Sequence, residues 1–152
     1  MKLFISYFYQ IRFFTPNMIP VSTAAFDPDW YSHEGKIYKD KNGVYNGIRC
    51  EQFLPPELSE GCGCPCEQHK QRTSDCAFLI DYRKQLDKIN FRDFLNWCEA
   101  LGDYVQKKEQ FKEEPVIVLI VYEAPWNPCS ERGPLIDWCA ANGVELKQWK
   151  HT

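Results

Sequence analysis

The sequence predicts an α/β fold: a small Rossmann-like three-layer domain with a mostly parallel sheet of about four strands and a cysteine-rich insert. Three observations predict it. Val116 to Val121 is a run of six aliphatic residues without polar alternation, the pattern of a parallel strand covered on both faces. A helical segment and a short alternating segment follow it, so strand, helix and strand form a right-handed crossover unit. The 152 residues are 44% hydrophobic and 15% aromatic, enough to bury a core within the size of one domain, so residues 1–152 are expected to form a single unit.

The elements follow in chain order. Residues 3–6 read as a first strand, and the aromatic stretch from Tyr7 to Phe14 as a helical turn or a loop packed on the sheet. Residues 19–24 read as a second strand, with Asp27 to Tyr31 leaving its C-terminal end as a loop. Residues 32–61 are rich in Gly, Lys and Pro and predict irregular chain, with a small extended piece over 43–49. Ser74 or Asp75 caps a helix over about 76–89, on which Leu79, Tyr82, Leu86 and Ile89 recur at helical spacing. Asn90 caps a second helix whose apolar stripe is Phe91, Phe94, Leu95, Cys98, Leu101 and Val105. A last helix over about 134–142 stops at Asn142-Gly143, and residues 144–149 alternate as an edge strand.

A formal net charge of -3 supplies no global attraction for nucleic acid or anionic membrane. The sequence contains no apolar run of about 18 residues, so no membrane span is expected. The first 25 residues mimic a signal peptide in part, but Gln10 and Arg12 interrupt the apolar region and the segment reads as folded chain. The expected location is cytoplasmic, with reduced thiols.

In an open parallel sheet, ligands gather beyond the C-terminal strand ends, where loops enter helix N-termini. That rule selects Ser6 and Tyr7 after the first strand, Asp27, Asp29, Trp30 and Tyr31 after the second, and Tyr122, Glu123, Cys129, Ser130, Glu131 and Arg132 after the aliphatic run. Cys129 stands near the positive end of a helix dipole and three residues before Arg132, conditions that favour thiolate. It reads as a nucleophile or as small packing. Two residues between Cys129 and Arg132 are too few for the cysteine phosphatase loop, which separates them by five. Arg132 reads as an anion anchor with Glu123 or Glu131 as base, or as half of a structural ion pair with Glu131. Trp30 and Tyr31 either stack a ring or roof the core. Gly133-Pro134 suits the helix start, with Ser130 as rival cap.

Within residues 50–76, Cys62, Cys64, Cys66 and Cys76, with Cys50 or His69 in reserve, supply soft ligands for a structural zinc. Free cysteines or an iron-sulfur cluster are the other readings.

The N-terminal Ile5-Ser-Tyr-Phe8, Pro20-Val-Ser22 followed by Pro28-Asp-Trp30, Leu54-Pro-Pro56 and above all Val121 to Arg132 carry a family resemblance. The chain resembles the domain of unknown function 488 family, particularly its short bacterial and phage-like members with a Cys-Ser-Glu-Arg motif. The resemblance spans most of the chain and is strongest over 115–149. It implies a Rossmann-like fold and brings no established reaction. Ser130 stands where the family usually has histidine, which removes a Cys-His pair.

Two functional readings result. In one, Cys129, Arg132 and Glu123 act at a pocket for a nucleotide, a nucleic-acid-linked ligand or another small molecule, lined by Ser6, Tyr7, Trp30, Tyr122, Ser130 and Glu131. In the other, a zinc-stapled module binds a protein or nucleic acid without chemistry, through the cysteine cluster and the aromatic, Lys-bearing loop 35–49.

Overall fold

A computed structural model describes residues 1–32, 36–54, 77–126 and 130–152. Its centre is a parallel four-stranded sheet in the order β2-β5-β1-β6, built from β1 (Lys2–Tyr7), β2 (Met18–Ser22), β5 (Val116–Val121) and β6 (Lys147–Gln148). A separate hairpin pairs β3 (Tyr38–Lys39) with β4 (Tyr45–Asn46). Among the described residues the helices are α1 (Ala77–Asp87), α2 (Phe91–Glu109) and α3 (Arg132–Ala141). This is the mixed α/β, parallel-sheet architecture that the aliphatic run and the crossover pattern predict.

β5 runs between β1 and β2, in register Leu3 with Ile117 and Ile19 with Ile117, so neither of its edges meets water. Its alternate residues serve opposite layers. Ile117, Leu119 and Val121 pack with Tyr82, Leu86, Phe94, Cys98, Leu135 and Trp138 from the helices. Val118 and Ile120 face the other way, against Phe8, Ile11, Phe14 and Tyr31. Among the described residues that second layer is a 3-10 turn over Phe8–Phe13 and irregular chain, and the α-helices pack on the opposite face.

Local chemistry explains several boundaries. Pro20 lies inside β2, within the strand read over 19–24, and it is tolerated because β2 is the sheet's outer strand on that side. Tyr31, wholly buried, crosses over this strand and donates its hydroxyl to the Ile48 carbonyl at 2.6 Å and the Pro20 carbonyl at 3.3 Å. Asn90 caps α2 by accepting from the Asp93 amide at 3.0 Å. The α1 cap expected at Ser74 or Asp75 lies outside the described residues. α3 stops where Asn142 and Gly143 donate to the Cys139 and Ala140 carbonyls, with Gly143 at φ +82°. The terminal strand is shorter than the alternation over 144–149 suggests, and it pairs with β1 at Phe4 and Ile5.

Candidate functional site

The strand order determines which loops meet at the C-terminal rim of the sheet. From β1 the chain passes β5 to become β2 on its far side; from β5 it passes β1, through α3, to become β6. The two outgoing connections therefore cross the border of β1 and β5 in opposite directions, and the residues that leave both strands meet there. Tyr7 ends β1 and Glu123 follows β5, so both residues stand at that border.

α3 begins at Arg132, two residues before the start that Pro134 suggested. Glu131 rather than Gly133 is the N-cap residue and makes no side-chain cap hydrogen bond; the Ser130 hydroxyl just before it accepts from the Arg132 amide at 3.2 Å. The result is to place Glu131 and Arg132 at the first turn with their side chains turned inward, 4% and 5% exposed. Arg132 donates from Nη2 to the Glu123 carbonyl at 2.8 Å, which ties the β5 exit to the helix start. Its Nε and Nη1 are buried with no acceptor among the described residues. Glu123 Oε2 and Glu131 Oε2 are likewise buried without a donor there.

Buried charge on this scale is costly unless protonation relieves it. Burial first, and then the negative charge of Glu123, push the Glu131 carboxyl up to about 8, against the pull of Arg132 and of its own amide. A protonated Glu131 also donates a hydrogen bond to the Glu123 carboxylate, which an ionised one cannot. At neutral pH Glu131 holds its proton. Burial lowers the Arg132 guanidinium against the opposing pull of Glu123, Tyr7 and Glu131. The group retains an acid and two guanidinium nitrogens without acceptors among the described residues.

Aromatic rings frame this group. The Tyr7 hydroxyl accepts from Gln10 Nε2 at 3.2 Å, and its ring meets the edge of Trp126 at 6.1 Å between centroids. Tyr122 and Trp126 are exposed. Tyr122 also contacts Phe8 at 6.3 Å, and Phe8 contacts Trp30 at 6.1 Å on the side of the sheet away from the helices.

The structure thus gathers Tyr7, Glu123, Ser130, Glu131 and Arg132, while Tyr122 and Trp30 belong to the neighbouring aromatic surface. Ser6 is committed elsewhere, donating to the Trp149 carbonyl at 2.8 Å. Asp27 is part of an internal network: it accepts from Ser22 Oγ at 2.5 Å and pairs with Arg49, which also donates to the Ala24 carbonyl at 2.7 Å. Cys129 lies outside the described residues, as do Cys62, Cys64, Cys66, His69 and Cys76. Cys50, Cys98 and Cys139 are core thiols that burial pushes up in pKa, which makes them packing groups. Among the described residues no group of three or more His, Cys, Asp or Glu is placed to hold a metal.

Sequence reasoning did not anticipate the meeting of the Glu123 and Glu131 carboxyls. The only signal was that both flank the β5 exit, and a loop of that length does not specify which side chains converge. It also missed Arg49, which ends the small extended piece read over 43–49 and reaches the sheet only through tertiary packing.

Compared with protein-family models, with curated proteins and with solved structures, the chain has no match. Among the described residues no helix is long and apolar enough to cross a membrane.

Proposed function

We propose that the rim between β1 and β5 binds a small anionic ligand of the nucleotide or nucleic-acid-linked class and exchanges a proton with it. One observation carries the reading: a 5% exposed arginine at the β1–β5 rim with two guanidinium nitrogens that no described residue accepts from. Buried donors are almost always paired, so such an arrangement suits an acceptor supplied from outside the fold. Phosphate or carboxylate oxygens are the strong acceptors for a guanidinium. These N–H groups are closed to bulk solvent, so the ligand reaches them by local opening at the rim.

The chemistry follows from the three side chains. Arg132 neutralises the ligand's negative charge. Glu131, an acid near neutral pH, gives its proton to a ligand oxygen or nitrogen, and the charge left on the pair falls beside Arg132. Glu123 controls how readily that proton leaves. The Cys129 nucleophile and the kinship with the domain of unknown function 488 family remain parts of this proposal that rest on sequence alone.

Thermal unfolding with a panel of mononucleotides, dinucleotides and inorganic phosphate tests the reading, on the parent and on Arg132→Gln. At least one compound should raise the parent's Tm by several degrees at millimolar concentration and leave the variant's unchanged. A parent indifferent to every compound sinks it.

The non-catalytic alternative, a zinc-stapled interaction module, draws on the exposed Ile37 and Tyr38 of the Lys-bearing loop. Its staple would be Cys62, Cys64, Cys66 and Cys76. Metal analysis of the purified chain decides: about one zinc per chain supports the staple, and neither zinc nor iron removes it.

A further inference from the structure

The buried group at the start of α3 holds hydrogen-bonding capacity of both kinds. Arg132 Nε and Nη1 are donors without an acceptor, and Glu123 Oε2 and Glu131 Oε2 are without a donor, among the described residues. Arg132 and Glu131 are 5% and 4% exposed and the Glu123 Oε2 atom is itself buried, so bulk solvent does not reach these atoms. Arg132 Nη2 is committed to the Glu123 carbonyl at 2.8 Å, which fixes the guanidinium beside that residue. An anion seated on Nε and Nη1 therefore lies against carboxyl groups as well as a cation, and the carboxyls decide which anion can stay.

A carboxylate oxygen only accepts hydrogen bonds. A bare oxyanion beside Glu123 Oε2 leaves that oxygen unpaired and meets like charge, and both penalties are large where water is excluded. An oxyanion that keeps one O–H escapes both, because it donates to Glu123 while its other oxygens accept from the guanidinium. A phosphate monoester, with a second pKa of about 6, keeps such a hydrogen in slightly acidic solution. Phosphodiesters and sulfate have none. Glu131 adds no repulsion there, since burial and then the charge of Glu123 push its carboxyl up to about 8 and keep it protonated.

We infer that the rim between β1 and β5 takes the protonated monoester end of a phosphorylated ligand and rejects phosphodiesters and sulfate, with Arg132 Nε and Nη1 on the phosphoryl oxygens and Glu123 accepting from the P–OH. Glu123 is then the specificity-determining residue, by the rule that a site built to pair a hydroxyl rejects the analogue that lacks it. This rests on the anion-binding reading above and narrows it: a mononucleotide or a terminally phosphorylated strand fits, and an internal phosphate of a nucleic-acid chain does not.

The test is calorimetric titration near pH 6 with adenosine 5′-monophosphate, its 3′,5′-cyclic diester, inorganic phosphate and sulfate, on the parent, Glu123→Gln and Arg132→Gln. The cyclic diester is a monoanion and sulfate a dianion, so rejection of both reflects the missing O–H and not net charge. The parent should bind the monophosphate and inorganic phosphate about tenfold or more tighter than their O–H-free counterparts. Glu123→Gln can turn an amide N–H toward a bare oxygen, so it should still bind the monophosphate and close most of that gap. Arg132→Gln should bind none of the four. A parent that binds the cyclic diester or sulfate as tightly as its counterpart overturns the inference and leaves the anion site standing, and that comparison needs no variant to fold. A gap unchanged in Glu123→Gln does the same. Binding that Arg132→Gln retains, or a parent that binds none of the four, overturns the anion-binding reading and this inference with it.

Discussion

Arg49 and Arg132 both meet carboxylates at the C-terminal rim of the sheet, and the two groups spend their hydrogen bonds differently. Beside β2, Asp27 takes the Ser22 hydroxyl and Arg49, while Arg49 adds the Ala24 carbonyl and approaches Glu51 at 3.7 Å. Beside β5, Arg132 spends one donor on the Glu123 carbonyl, and its Nε and Nη1, with one oxygen each of Glu123 and Glu131, find no partner among the described residues. A satisfied polar network stabilises a fold and leaves nothing for a ligand, whereas an incompletely satisfied one costs stability and retains binding capacity.

The largest effect that separates the two belongs to Asp27→Ala. It strips Arg49 and Ser22 of their shared acceptor in a nearly buried setting, and a loss of about 3 kcal/mol is expected in urea unfolding. A loss below about 0.5 kcal/mol would show that the β2 network is not structural and erase the contrast.

Next in size is the pH response of Glu131. Its folded pKa lies above the unfolded value, so the folded chain holds a proton that the unfolded chain releases. Its contribution is therefore fully present below about 4.5 and is lost as pH rises toward about 8, with a slope of up to about 1.4 kcal/mol per pH unit. Glu131→Gln keeps the hydrogen-bonding shape without the titration. Unfolding at pH 5, 6.5 and 8 should show the variant gaining on the parent at each step, and parallel profiles would mean that Glu131 is ionised throughout.

The smallest expected change in stability is that of Arg132→Met, although it is the one that removes the anion anchor. Because most of this guanidinium's donors go unspent, an apolar side chain of similar length should keep stability within about 1 kcal/mol of the parent. A drop of about 3 kcal/mol or more would place Arg132 in the same class as Arg49. Ser130→Ala calibrates this comparison, since losing a side-chain acceptor at a helix start alone costs about 1 kcal/mol.

Legibility in the sequence divides along physical lines. Short-range rules located the Asn90 cap, the Asn142-Gly143 stop and the aliphatic β5, because each depends on neighbours within one turn or one strand. The rule of strand ends selected Tyr7, Glu123, Ser130, Glu131 and Arg132, which do converge, and also Ser6, whose hydroxyl is bound to Trp149 on the other side of the strand. A strand's alternation decides that difference, and it requires knowing which face the site occupies.

By itself, then, the sequence determined that β5 is an interior parallel strand, that helices follow and precede it, and that polar residues cluster at its exit. Those properties follow from hydrophobic period and capping, which act locally. Only the tertiary structure decided the order β2-β5-β1-β6, and with it which strand exits meet. It alone brought the Glu131 carboxyl beside Glu123 in a space dry enough to raise it, because burial and charge proximity depend on the packing of segments far apart in the chain.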